Sequence, residues 1–375
     1  MSCVVDAVQG VAKPRPHAMA FSLQAHMQRP VIGLDIDPGY LAAAEVAVNG
    51  HVAVRRAATA PLPPGVMRDG EVLDGEMLAE ALKDFFEAHK LSKRVRIGVA
   101  NQRIVVRTMD LPMIEDPKDL DAAVRFQAQE HIPMPLEQAV LDFQSLGFVT
   151  TEQGERTRVV LVAARRDMIE RLLSATRAAG LRPEGIDLAA FAMVRALGDD
   201  APEGTDGGSV LYINLGGLTN VAVASGRDCH FTRVIAGGLE TMAGGLAERR
   251  GLTLEHSHQW LAHVGLQTPL DMVDGDAGIV ADARTELADG VRRIADEIRN
   301  SIEYYRTQEM VSGAERAIVT GAGVAIHGLP EQLSTDLGMP VEPRVVAEAA
   351  PGAFGGVEPG RITVAAGLAV EEITP

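Results

Sequence analysis

The sequence predicts an α/β protein built from two related lobes. Strand-like apolar runs alternate with helical stripes along most of the chain, and a strand-and-hairpin plan that opens at residue 31 returns near residue 209. The 375 residues are 46% hydrophobic, enough for two cores.

The first strand is V-I-G-L-D-I-D, 31 to 37, followed by L-A-A-A-E-V-A-V, then Asn49-Gly50, then H-V-A-V-R-R-A. Asn-Gly between apolar runs is a hairpin signal, because both residues accept the positive φ of a tight turn. Residues 95–109 read as strands. Residues 117–130 read as a helix with Leu120, Ala123, Val124 and Gln127 on one face, ended by Pro133 and Pro135. R-V-V-L-V-A-A, 158 to 164, is a further strand. A helix from about Arg166 to Ala179 carries Ile169, Leu172, Leu173 and Thr176 as its stripe, and Gly180 with Pro183 closes it.

The opening plan then repeats: S-V-L-Y-I-N-L-G-G, N-V-A-V-A, the turn S-G-R-D, and C-H-F-T-R-V-I-A. Asp35 and Asn214 stand at the same joint, 214 − 35 = 179 residues apart. Such a repeat of structure implies paired lobes rather than a solenoid. The longest helix is expected over 284–307, where Leu287, Val291, Ile294, Ile298 and Tyr305 recur at helical spacing beneath a sheet.

Charge narrows the partners. Lys plus Arg number 35 against 51 Asp plus Glu, a formal charge of −16 that repels phosphate backbones and disfavours nucleic acid. Arg165-Arg166, Arg249-Arg250 and Arg292-Arg293 are isolated pairs that read as solvated faces. Cys3 and Cys229 give neither a disulfide framework nor a metal cluster, which suits a reducing cytoplasm. No run reaches the ~18 apolar residues of a membrane span. Residues 1–29 lack the pattern of a signal peptide and are expected to be a disordered extension, with a partner-binding arm as the alternative.

Three turns are candidate ligand sites. L-D-I-D-P-G-Y, 34 to 40, ends a buried strand in Asp35 and Asp37. A carboxylate there can order a metal-bound water, and the turn can offer N–H groups to phosphate; a hairpin with a capping Asp is the alternative. Next come Asn214, Gly216, Gly217 and Thr219, followed by Gly237-Gly238 before a helix whose first N–H groups suit an anion. In I-V-T-G-A-G-V-A-I-H-G-L, 318 to 329, Gly321 and Gly323 let a flat ring approach backbone, although tight strand–helix packing also wants glycine. Each turn is weak alone. Their order and spacing are more specific.

Two strand-hairpin phosphate motifs and a late T-G-x-G turn resemble the actin-like ATPase superfamily. Four stretches resemble the PilM family of type IV pilus assembly proteins, which is related to FtsA: E-H-I-P-M-P-L-E-Q-A-V-L-D-F-Q (130 to 144), R-V-V-L-V-A-A-R-R-D-M-I-E-R (158 to 171), G-L-R-P-E-G-I-D-L-A-A-F-A-M-V-R-A-L (180 to 197) and I-R-N-S-I-E-Y-Y-R (298 to 306). The similarity spans about 31–371.

It implies an α/β, actin-like (ribonuclease H-like) bilobal fold. A first lobe is expected over 30–208, with an inserted α/β subdomain of the 1C type at about 105–165. A second lobe is expected over 209–375, with a helical insertion at about 238–315. The implied protein is a cytoplasmic scaffold, peripheral to the inner membrane. It would bind the cytoplasmic N-terminal segment of a PilN-like membrane protein beside the 1C subdomain and join other platform proteins of the pilus machine that drives twitching motility. Self-association is possible within that picture, and the membrane is met only indirectly.

The resemblance also implies ATP or ADP with Mg²⁺ in the cleft, Asp35 acting on the metal through water. Asp296, Arg299 and Asn300 share a helical face where related proteins contact adenosine. The chain departs from the family pattern in the turns. Asp37 stands where a Gly is usual, Pro38 removes an N–H, and Ala42 replaces a common Lys. Asn214 replaces an Asp; an amide can bond a metal's water but lacks charge and cannot act as a base. Weak or no hydrolysis is therefore expected, at most that of a weak actin-like ATPase. A small-molecule kinase needs a base beside intact phosphate turns, and no such base is found. An FtsA-like filament-forming tether would bring a C-terminal amphipathic helix, for which G-L-A-V-E-E-I-T-P is too short and too acidic.

Overall fold

The computed structural model describes residues 30–151, 154–198, 208–309 and 313–370. The expected extension of 1–29 lies outside the described residues. All six residues of β1 (Ile32–Asp37) are buried, as a strand paired on both sides requires. β2 (Tyr40–Val48) returns antiparallel to it, and β3 (Val52–Pro61) follows through the Asn49-Gly50 turn, where Gly50 has φ +78°. A short ribbon, β4 (Met67–Arg68) with β5 (Glu71–Val72), leads into α1 (Gly75–Ala88). Asp74 starts α1 by accepting the Glu76 and Met77 N–H groups at 3.1 and 2.9 Å. Leu78, Leu82, Phe85 and Phe86 form its buried stripe. β6 (Arg94–Val99) then runs parallel to β1.

A separate antiparallel sheet is inserted next. It comprises β7 (Val105–Pro112), α2 (Pro117–His131), β8 (Ala139–Thr151) and β9 (Gly154–Arg165), with strand order β7-β9-β8. Asp116 caps α2, and Pro117 sits in the first turn, where no donor is needed. Leu120, Val124 and Ala128 are buried, while Gln127 is only half-buried. β8 carries too little apolar alternation to read as a strand from sequence. It is an edge strand whose distal half is largely exposed, so burial did not demand that pattern.

α3 (Arg166–Ala178) packs its expected stripe inward and stops at Gly180, φ +75°. β10 (Arg182–Leu188), parallel to β6, and α4 (Ala189–Leu197) complete this half. The second half repeats the meander in β11 (Val210–Leu215), β12 (Thr219–Ser225) and β13 (Asp228–Ile235). Then come α5 (Leu239–Arg250), α6 (Leu254–Val264), α7 (Ala277–Glu309), β14 (Arg316–Thr320), α8 (Leu329–Leu337) and β15 (Val341–Pro343). α7 begins at 277 rather than the expected 284, because Asp276 takes the Ile279 N–H at 2.9 Å and starts the helix upstream of its apolar stripe. Leu287, Val291, Ile294, Ile298 and Tyr305 lie in the core beneath the second sheet.

The sheets have matching topology. β3-β2-β1-β6-β10 and β13-β12-β11-β14-β15 each run as an antiparallel meander followed by two parallel strands. The end of the chain crosses back: β16 (Ala347–Glu348) pairs with β3, and α9 (Thr363–Leu368) packs on β1 and α4. The last segments of the 209–375 stretch therefore complete the first sheet. α4 and α9 lie between the sheets, against Ala42 and Ala44 on one side and Tyr212 and Ala222 on the other. Among the described residues no helix is long and apolar enough to cross a membrane.

Candidate functional site

Parallel central strands end together at their C-terminal edge, and in open α/β sheets ligands bind beyond that edge. Here β1 and β11 end facing each other, so the turns 37–40 and 215–219 meet between the lobes. The Asp37 carboxylate accepts the Gly39 N–H of its own turn at 3.1 Å and the Gly217 N–H of the other lobe at 3.0 Å to each oxygen. The Leu218 N–H bonds it as well. Thr219 Oγ1 donates to the Gly237 carbonyl at 2.6 Å, and the Leu239 N–H donates to the Gly216 carbonyl at 2.8 Å, which ties this turn to the start of α5.

Asp35, Asp37, Asn214, Gly216, Gly217, Thr219, Gly237 and Gly238 are thus brought together. Gly321, with φ +92°, leaves no room for a side chain: a Cβ there would lie 2.7 Å from Asn214 Oδ1. Gly323 packs against the Leu215 side chain instead. The Arg299 guanidinium is bonded to the Asp336 carbonyl and to the carboxylate of Asp296, which lines the cavity beside these turns. A cavity of about 420 Å³ adjoins the turns, lined by Gly237, Gly238, Arg233, Arg293, Asp296 and, from the other lobe, Gln102.

Several residues of the site carry no signal in the sequence as single positions. The Arg361 guanidinium lies 4.9 Å above the centre of the buried Tyr40 ring. Glu240 bonds His258 at 2.8 Å, and a Cβ on Gly39 would meet Glu240 Oε2 at 2.6 Å. Asn220 pairs across from Asn214, and its Oδ1 is buried with no hydrogen-bond partner. Glu240 stands inside A-G-G-L-E-T and Tyr40 closes L-D-I-D-P-G-Y, so for these two the surrounding motif offered a pointer.

Electrostatics set the chemistry. Burial first, then the neighbouring charge of Asp37, pushes the Asp35 carboxyl up to about 8. Burial lifts Asp37 to about 6, while the N–H groups of Gly39, Gly217 and Leu218 hold it from rising further. At neutral pH Asp35 is therefore mostly uncharged and Asp37 mostly ionised. A hydrated Mg²⁺ wants anionic oxygen ligands. Asn214 is an amide and the charge of Asp37 is spent on backbone donors, which leaves Asp35 alone among them to supply an anionic oxygen, a poor fit for that ion. Among the described residues no group of three His, Cys, Asp or Glu side chains is placed to hold a metal.

Residues 33–349 match the family described as type IV pilus assembly protein PilM. Among solved structures the chain is similar to a PilM–PilN type IV pilus biogenesis complex, with a TM-score of 0.73 and 26% identity over 91% of this chain and 97% of that one. It is also similar to the ethanolamine utilization protein EutJ from Carboxydothermus hydrogenoformans, with a TM-score of 0.51 and 14% identity over 91% and 89%. MreB5 of Spiroplasma citri bound to ADP gives 0.49 and 12% over 90% and 94%. The fold is the actin-like α/β fold.

Proposed function

We propose a function from one premise: the chain belongs to the type IV pilus assembly protein PilM family. It is a scaffold of the type IV pilus assembly platform, and its partner is a PilN-like protein. The observation that carries the reading is the inserted β7-β9-β8 sheet and the seam it forms with the first lobe. Val140 and Val162 of that sheet pack with Val99, Ile169 and Ile186 around a narrow apolar groove of only about 30 Å³, lined also by half-buried Asp142 and, behind it, buried Asp187.

In this reading the cytoplasmic N-terminal segment of the PilN-like membrane protein docks beside the inserted sheet, along this seam. The seam is too closely packed to admit a peptide side chain, so the segment would lie over it, and the carboxylate of half-buried Asp142 would attract a basic group. The chain is then held at the inner membrane through this partner, and other platform proteins assemble around the pair. ATP or ADP belongs to this reading as a structural or switching ligand of the cavity between the lobes, not as fuel. The two altered turns support that view.

A pull-down and calorimetric titration with the N-terminal peptide of the PilN-like protein test the scaffold reading. The wild type should bind, and Asp142→Lys should weaken binding by about tenfold by reversing the charge at the groove. A folded wild type that ignores the peptide sinks the reading.

A further inference from the structure

The point where the two hairpins meet is built as an anion seat, and it is full. N–H groups from Gly39 in one lobe and from Gly217 and Leu218 in the other converge on one place, as backbone nests do around oxyanions. The oxyanion they hold is the carboxylate of Asp37. A Cβ built on Gly217 would fall 2.2 Å from Asp37 Oδ1, and one on Gly216 would fall 2.7 Å from Oδ2. The bare glycines therefore make room for a side chain of this same protein. Asp37 is 7% exposed, so a phosphate brought to these donors would meet an unscreened like charge and find its hydrogen bonds taken.

We infer that Asp37 is a built-in substitute for a bridging phosphate: the chain itself occupies the seat between its lobes, and a phosphoanion enters that seat only when the carboxylate is removed. The lobes are joined at this point by the carboxylate itself. A nucleotide that binds the wild type must keep its terminal phosphate out of the seat, in the adjoining cavity beside Arg233 and Arg293. The inference rests on the nucleotide reading only for the identity of the displaced ligand; the seat is set by the hydrogen bonds alone.

Thermal unfolding of the full chain, with inorganic phosphate, ADP or ATP each at millimolar concentration and pH 7.5, tests it. The wild-type Tm should stay fixed in phosphate. Asp37→Gly should melt lower than wild type and gain at least about 3 °C with saturating phosphate. Asp37→Ser empties most of the seat while keeping a side chain, and it carries the same test if the glycine variant does not fold. An equal phosphate response in wild type and variant overturns the inference, as does a folded variant that responds to no anion. If a variant responds to phosphate while ADP and ATP act only at the same concentration as phosphate, the seat stands and the nucleotide reading falls.

Discussion

Asp37, the last residue of β1, accepts the backbone N–H of Gly217, on the turn after β11, with both carboxylate oxygens at 3.0 Å and a separation of 180 positions along the chain. A side chain of one lobe thus completes the hydrogen bonding of a turn in the other. Gly217 itself is buried. Water is poorly placed to replace the carboxylate there.

Removing that acceptor should be costly. Asp37→Ala leaves the Gly217 and Leu218 N–H groups buried without a partner, and we expect a loss of about 2–3 kcal/mol in urea unfolding at pH 7.5. A loss under about 0.5 kcal/mol would mean that backbone or water replaces the carboxylate at no cost.

Stability should fall as pH rises from about 4 to above 8. Asp35 and Asp37 have an ordinary value of 3.8 and are pushed up to about 8 and about 6 in the folded chain. The folded state therefore binds protons that the unfolded state releases, and stability present below pH ~4 is lost through pH 6 and then 8. Asp37 faces Asp35, while Glu240 acts on Asp37; Tyr40 and Arg361 share the cluster. Asp35→Asn should flatten the curve between pH 6 and 8. Denaturation midpoints at pH 5, 7 and 9 check this, and a wild type most stable at pH 9 contradicts it.

ATP turnover should be negligible and insensitive to Mg²⁺. Of the matched pair Asp35 and Asn214, the amide lacks the charge that holds a hydrated cation, and Asp35 by itself is a weak seat for one. A turnover of about one per second that disappears in Asp35→Ala would overturn this view of the cleft.

The peptide groove should depend on an ion pair behind it. Asp187 is almost fully buried; Arg195 bonds its carboxylate and donates to the Gly367 carbonyl of α9 at 2.9 Å. Arg195→Ala strands that carboxylate, and we expect about 3–5 kcal/mol of lost stability. Peptide affinity should fall with it because Asp187 borders the groove. Preserved stability with unchanged peptide binding would remove Asp187 from both roles.

The sequence alone determined the features that depend on near neighbours. Apolar spacing marked the α3 stripe and the α7 stripe, Asn49-Gly50 marked a hairpin, and the matched joints at Asp35 and Asn214 marked a duplicated plan. Burial and turn chemistry act over a few residues, so their imprint is local. β8 escaped because an exposed edge strand needs no regular apolar face, and the start of α7 was displaced by a single capping Asp276.

Only the tertiary structure decided what the turns do. The family resemblance marked Asp37 as an acid where a glycine is usual; folding showed that its carboxylate lies on Gly217. In the same way, Gly33 is required because a Cβ there would sit 1.8 Å from the Ala365 carbonyl, on a helix that comes from the far end of the chain. Contacts of this kind depend on how two sheets and a returning helix pack. No spacing within a local window encodes that packing.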